Sequence, residues 1–138
     1  MSIRLHILVF CVSVFISSCG VSYDKDYYER ASGIKLPSSA RPIESFDNGE
    51  FYTVTSFRIP ANDMRSLIRR YAFKRISSSY RPTVFGAEDL RREKPAEKDL
   101  ANCVYTMRSN GKLNSTYLAD TVRGLLWASI SYPDWGGN

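Results

Sequence analysis

Thiols and a single imidazole are the side chains of this sequence with the widest chemical range. The 138-residue chain contains three cysteines, Cys11, Cys19 and Cys103, and one histidine, His6. A cysteine beside a histidine can act as a nucleophile, and both residue types bind metal ions. His6, Cys11 and Cys19 all fall within or just after an apolar run near the amino terminus. What that run does therefore decides which of these groups can take part in chemistry.

The start of the chain has the layout of a secretory signal peptide. A short basic stretch, Met1 to Arg4, precedes an apolar stretch from Leu5 to Phe15, and small residues follow. This stretch is shorter than the ~20 apolar residues that a membrane-spanning helix needs. We therefore expect the apolar run to be removed as part of a signal peptide, and the only histidine to be removed with it.

Four residues at the end of the apolar run, Ile16-Ser17-Ser18-Cys19, resemble the lipobox of bacterial lipoproteins. The resemblance implies cleavage before Cys19, which makes residues 1–18 the signal peptide. It also implies acylation of the Cys19 sulfur and new amino group by fatty acids such as palmitate. Two or more chains anchor stably, because each buried methylene contributes ~0.8 kcal/mol. Gly20 stands where the family's inner-membrane retention signal has aspartate, so the resemblance implies the outer membrane, with the domain facing the periplasm or the cell surface. Ordinary cleavage after Cys19 with secretion, or inner-membrane retention, are the alternatives.

Removal of the signal peptide together with acylation of Cys19 would leave Cys103 as the only free thiol. Without a histidine to activate it, we expect Cys103 to be a buried, inert side chain. Carboxylate pairs such as Glu44 with Asp47 could serve hydrolysis, but such residues are more typical of solvated loops. The sequence therefore predicts a protein that is not an enzyme, with no catalytic residue, no metal ligand and no cofactor.

The periodicity of the remaining chain predicts one small α+β domain. The predicted elements are a strand at 49–60, a helix at 62–76, a hairpin at 102–119 and a final strand at 125–132. In the order strand-helix-strand-strand-strand, they suggest one helix packed on an antiparallel sheet of about four strands. We expect a lipidated cysteine and tether at 19–41 and the domain at 42–138. The second face of the sheet would be open to a partner.

The hairpin prediction depends on Asn110-Gly111. This dipeptide favours a two-residue turn, because both turn positions need a positive φ. Such a turn would pair Ser109 with Lys112 and Cys103 with Leu118.

Basic residues dominate the predicted helix and the residues that follow it. The chain has a net charge of +5, and Asp63 is the one acidic residue among a group of cations. These candidate partner- or anion-binding residues are Arg65, Arg69, Arg70, Lys74 and Arg75. Three interpretations compete: a solvated helix face, a contact with anionic lipid or another envelope polyanion, and a contact with an acidic protein. We expect no nucleic-acid partner, because the domain is expected to be exported and the sequence has no groove-reading motif.

Two tryptophans near the carboxyl end have two alternative roles. Trp127 lies in the final predicted strand, and Trp135 follows Pro133-Asp134. Packing in the core or at the sheet edge is one role, and a recognition surface is the other, since Trp, Tyr and Arg anchor many interfaces.

These observations favour a membrane-anchored envelope lipoprotein that acts as a non-enzymatic binding or inhibitor module toward a protein, with immunity and exclusion factors included in that class. The alternative is a structural, envelope-maintenance lipoprotein that contacts anionic lipid or polymer through the basic helix face. For either function, the expected partners of the protein are the membrane, through Cys19, and an envelope protein or anionic surface.

Overall fold

The computed structural model describes residues 23–132, which form one antiparallel sheet with two α-helices on one face. Cys19 and Trp135 lie outside the described residues. The strands are ordered β1-β2-β6-β5-β4-β3 across the sheet. The elements are α1 (Lys25–Ser32), β1 (Arg41–Asp47), β2 (Tyr52–Arg58), α2 (Ala61–Arg70), β3 (Lys74–Arg75), β4 (Cys103–Ser109), β5 (Asn114–Asp120) and β6 (Leu125–Ser131), with 3-10 turns at Ala87–Asp89 and Glu97–Asn102.

The prediction of an antiparallel sheet combined with helix is confirmed, but its number of elements is wrong. The described residues contain six strands instead of about four, and two α-helices instead of one. The strand β1 has Pro42 near its start and a bulge between Pro42 and Glu44, so it lacks the clean alternation that identifies strands. The strand β3 has only two residues, too few for any periodicity.

The helix α1 lies in the segment that the sequence assigned to a tether. Asp24 caps it, because its carboxylate accepts the backbone N–H of Tyr27 at 2.9 Å. Tyr28 of this helix and Ile34 and Leu36 after it are buried in the core between the helices and the sheet. Packed structure therefore begins by Asp24, five residues after Cys19 in the sequence.

The helix α2 packs Met64 and Leu67 against the sheet, as its spacing predicts. It ends at Arg70, earlier than the predicted end at 76. Ala72 has a φ of 51°, a left-handed conformation that a helix cannot continue through. The chain turns there and immediately forms β3.

The β4–β5 hairpin forms, but with a four-residue loop. Ser109 pairs with Asn114, because the Asn110 side-chain oxygen accepts the backbone N–H groups of Lys112 at 3.0 Å and Leu113 at 2.8 Å. This side-chain turn replaces the expected two-residue turn. Cys103 consequently lies opposite Asp120, and its predicted pairing with Leu118 is wrong by two residues.

The second face of the sheet is covered, contrary to the expectation of an open face. Residues 76–102, which we call the cover segment, lie across it without long regular elements. Val84 and Leu90 of this segment are buried against Val54, Leu118 and Trp127 of the sheet. The apolar residues of the cover segment are isolated between Pro, Gly and charged residues, so they produce no period that the sequence could reveal.

Polar contacts fasten the cover segment to the β1–β2 edge of the sheet. Both oxygens of Glu44 accept the backbone N–H of Arg91 at 2.9 Å, and one of them accepts that of Arg92 at 2.8 Å. The Tyr52 hydroxyl donates to the Asp89 carboxylate. The cover segment is thus held by specific hydrogen bonds as well as by its buried side chains.

Candidate functional site

The cations that the sequence singled out lie exposed on α2 and β3. We call Arg65, Arg69, Arg70, Lys74 and Arg75 the basic surface; all five are exposed. In β3, Lys74 lies opposite Tyr105 and Arg75 opposite Val104. Successive strand residues point to opposite faces, so the basic surface extends around the β3 edge of the sheet.

The fold adds one cation that the linear sequence did not connect to this group. Arg108 of β4 lies with its guanidinium carbon 5.5 Å from the centre of the Tyr71 ring, directly after α2. The Tyr71 hydroxyl accepts the backbone N–H of Lys35 at 2.8 Å, which fixes the ring. The sequence alone does not show that Arg108 lies beside Tyr71, because the two residues are 37 positions apart. Only the order of the strands in the sheet brings them together.

The basic surface has no acidic counterpart among residues 23–132. None of its five side chains forms an ion pair there, and Arg65 only donates to the side chain of its neighbour Asn62. Asp63, the acidic residue on α2, accepts a hydrogen bond from Ser39 instead. The positive charge of this surface is therefore presented to solvent.

Other cations of the same protein are paired. Arg123 contacts Asp120 at 2.7 Å and Asp99 at 3.2 Å, and it also approaches Glu93. Burial raises the pKa of Asp120, but the hydrogen bonds from Arg123 and from two backbone N–H groups outweigh that effect and lower it. This paired group lies beside the cover segment and stabilises the fold.

Aromatic and apolar side chains border the basic surface on the cover side of β4. The rings of Tyr80 and Tyr105 are 5.5 Å apart, and the Tyr80 hydroxyl lies 2.9 Å from the Met107 sulfur. Tyr80 is 43% exposed and Met107 48% exposed. The sequence does not reveal these two residues, since neither stands out until β4 is known to be near the sheet edge.

Trp127 packs in the core and presents no recognition surface. Its side chain is fully buried, and its indole N–H donates to the Glu93 carbonyl at 2.8 Å. The interpretation of Trp127 as a partner-binding residue is therefore replaced by its alternative, core packing. Trp135 and the acylation candidate Cys19 lie outside the described residues.

Cys103 is buried, as the sequence predicts for an inert thiol. It is 4% exposed, and its sulfur lies 3.4 Å from the Asp99 carbonyl. Burial, reinforced by Asp120 and Asp99, raises the pKa of the thiol to about 11. The reactive thiolate is consequently scarce at neutral pH.

The carboxylates considered for hydrolysis have structural partners. Glu44 holds the cover segment, and the Asp47 carboxylate accepts the backbone N–H of Gly49 at 2.7 Å. A cleft of about 430 Å³ does lie between α1 and the β1–β2 hairpin, lined by Asp24, Asp47, Glu50 and several tyrosines. Within residues 23–132, no three His, Cys, Asp or Glu side chains are grouped so that they could hold a metal ion.

No family model, no curated protein and no solved structure matches this chain. Among the described residues, no helix has the length and apolar character needed to cross a membrane.

Proposed function

We propose that this protein is a lipoprotein of the bacterial envelope, anchored through Cys19, and that it works without catalysis as a binding or inhibitor module toward an acidic protein. Immunity and exclusion factors are members of that class. The observation that carries the proposal is the basic surface, whose five cations are exposed and lack acidic partners among residues 23–132. Unpaired charge of one sign attracts a partner of the opposite sign and speeds its association.

The border of the basic surface favours a protein over a simple polyanion. Exposed Tyr80 and Met107 adjoin Lys74 through Tyr105, which lies opposite Lys74 in the β3–β4 ladder. Tyrosine, methionine and arginine are enriched in protein interfaces, whereas a simple polyanion is attracted by the charge of the surface.

A structural lipoprotein that contacts anionic lipid or polymer is the second candidate. The short spacing between Cys19 and Asp24 favours it, because an acylated chain would hold the domain beside charged headgroups. Both candidate functions use the basic surface, and they differ only in the partner that binds it.

The test compares a reversal of charge at two exposed lysines. Lys74→Glu lies in the basic surface, and Lys98→Glu is a matched control in the cover segment, where the lysine is also exposed. Proteins crosslinked to the full-length chain in its own cell would be identified, and binding of the recovered partner would then be measured. We expect Lys74→Glu to weaken binding about tenfold, which corresponds to about 1.4 kcal/mol, and Lys98→Glu to leave it unchanged.

The two candidates separate in a second measurement with Cys19→Ala, which lacks the acylation site. Capture of a stoichiometric protein partner at moderate salt supports the binding module. Binding only to anionic vesicles, lost as salt rises, supports the structural lipoprotein instead.

A further inference from the structure

The outer edge of β4 lacks a neighbouring strand over half of its length. Its ladder with β3 contains only Tyr105 and Val104, because the chain turns away at Ala72, where φ is 51°. Residues 106–109 of β4 consequently have no strand on their outer side within the described part of the chain. Met107, Arg108 and Ser109 are also exposed.

The hydrogen-bond pattern identifies which backbone groups of β4 point outward. The N–H of Asn110 donates to the Leu113 carbonyl at 3.2 Å, and the N–H of Thr121 donates to the Asn102 carbonyl at 3.4 Å. Antiparallel ladders alternate between residues that bond the partner strand and residues that point away from it. Even-numbered residues of β4 therefore bond β5, and the N–H and C=O groups of Met107 and Ser109 point outward.

The side chains along this edge differ between the two faces. Met107 lies on the cover side, next to Tyr80 and Tyr105. Arg108 lies on the helix side, where Tyr71 holds its guanidinium, and Arg75 shares that side through its pairing with Val104. An added strand would meet an apolar side chain on one face and cations on the other.

We propose that the β4 edge binds an extended segment of the protein partner as an added strand, and that acidic and apolar residues alternate in this segment. Outward N–H and C=O groups supply backbone hydrogen bonds, which is how many domains bind extended peptides. Acidic side chains of the segment lie beside Arg108 and Arg75, and its apolar side chains lie beside Met107 and Tyr80. This inference rests on the proposed function, because it names the chemistry of the acidic partner.

The test uses a synthetic peptide of about eight residues that alternates glutamate with valine, a length that covers the open edge. A peptide of the same composition with glutamates and valines in two separate blocks is the control, because it cannot place the two residue types on opposite faces. Each is titrated into the full-length chain carrying Cys19→Ala. We expect the alternating peptide to bind, and the Met107 and Ser109 amides to exchange hydrogen more slowly when it is bound.

Two substitutions at one position separate backbone pairing from side-chain contact. Met107→Pro removes an outward N–H and leaves the β4–β5 bonds in place, whereas Met107→Val keeps both the N–H and an apolar side chain. We expect Met107→Pro to weaken peptide binding about tenfold or more and Met107→Val to change it less than about threefold. If Met107→Pro does not fold, Ser109→Pro removes the other outward N–H.

The outcomes distinguish this inference from the proposed function. Strand addition is overturned if Met107→Pro or Ser109→Pro binds normally while Lys74→Glu weakens binding, and the proposed function then stands. Equal binding of the blocked peptide, or no slowing of exchange at Met107 and Ser109, also overturns it. If neither peptide binds and anionic vesicles do, both the strand addition and the protein-binding function are wrong.

Discussion

Glu44 shows how one side chain can determine the position of a whole segment. Burial of its carboxylate favours the neutral form, but the backbone N–H groups of Arg92 and Arg91 favour the charged form more strongly and lower its pKa. A carboxylate with a lowered pKa stabilises the fold above its unfolded pKa. That contribution disappears as the pH falls through the folded pKa.

Glu44→Gln should therefore destabilise the protein in a pH-dependent way. The difference in free energy of unfolding between the wild type and Glu44→Gln should be largest at neutral pH and should shrink as the pH falls below about 4.5, the ordinary value for glutamate. Urea unfolding between pH 7 and pH 3 would measure it. Glu50→Gln is the control, since Glu50 is exposed and its carboxylate accepts no hydrogen bond from residues 23–132. A difference that stays constant with pH would contradict the assignment.

The cover segment depends on close contact at Gly86. This residue has a φ of 77°, and a Cβ placed on it would lie 2.2 Å from the Tyr52 ring. The ring cannot move away easily, because the Tyr52 hydroxyl bonds Asp89 in the same segment. The backbone of the cover segment therefore lies so close to the sheet at Gly86 that no side chain fits between them.

Gly86→Ala should weaken the attachment of the cover segment. We expect a loss of about 2–4 kcal/mol, from strain at the positive φ and from the clash with Tyr52. Gly49→Ala is a matched control, because Gly49 has a φ of 78° with nothing within 4 Å of the added Cβ. It should cost only about 1–2 kcal/mol. Thermal unfolding of both variants measures the difference, and equal losses would show that the contact at Gly86 has no effect.

The elements also show what the sequence could and could not predict. The apolar spacing of α2 and the alternation of β6 were sufficient to predict a helix and a strand. Both elements bury one regular set of side chains against the helix-side core. The cover segment was not predictable in this way, since Val84 and Leu90 are buried without any period. The hairpin register required the side-chain turn of Asn110, which competes with the two-residue turn that Asn-Gly favours.

The candidate site was predictable only in part for a related reason. The cations of the basic surface are close together in sequence and could be grouped directly. Arg108, Met107 and Tyr80 come together only through the pairing of β3 with β4. Trp127 could be placed in the final strand, but the segment that covers it could not be predicted.

At the scale of the molecule, the folded domain should require residues that the sequence assigned to the tether. Tyr28, Ile34 and Leu36 are nearly inaccessible, and burial of each such side chain contributes about 1.5–3 kcal/mol. Domains of this size are stable by about 5–15 kcal/mol. Loss of all three residues would remove much of that margin.

A fragment that begins at Val21 should therefore unfold cooperatively, whereas a fragment that begins at Pro42 should not. Circular dichroism during heating and the dispersion of amide resonances would distinguish the two fragments. A cooperative transition at a similar temperature in the shorter fragment would show that α1 is an appendage of the domain.

The position of α1 also limits how far the protein could reach. Asp24 is the fifth residue after Cys19, and five residues span at most about 18 Å even when fully extended. A domain of this length has a radius of gyration of about 13 Å, so acylation at Cys19 would confine it to a layer about one domain thick above the bilayer. Within that layer, a second anchored protein would be met at a much higher local concentration than a freely diffusing one. The distance of a protein from the membrane surface would thus determine whether it can meet this domain at all, before side-chain contacts determine whether it binds.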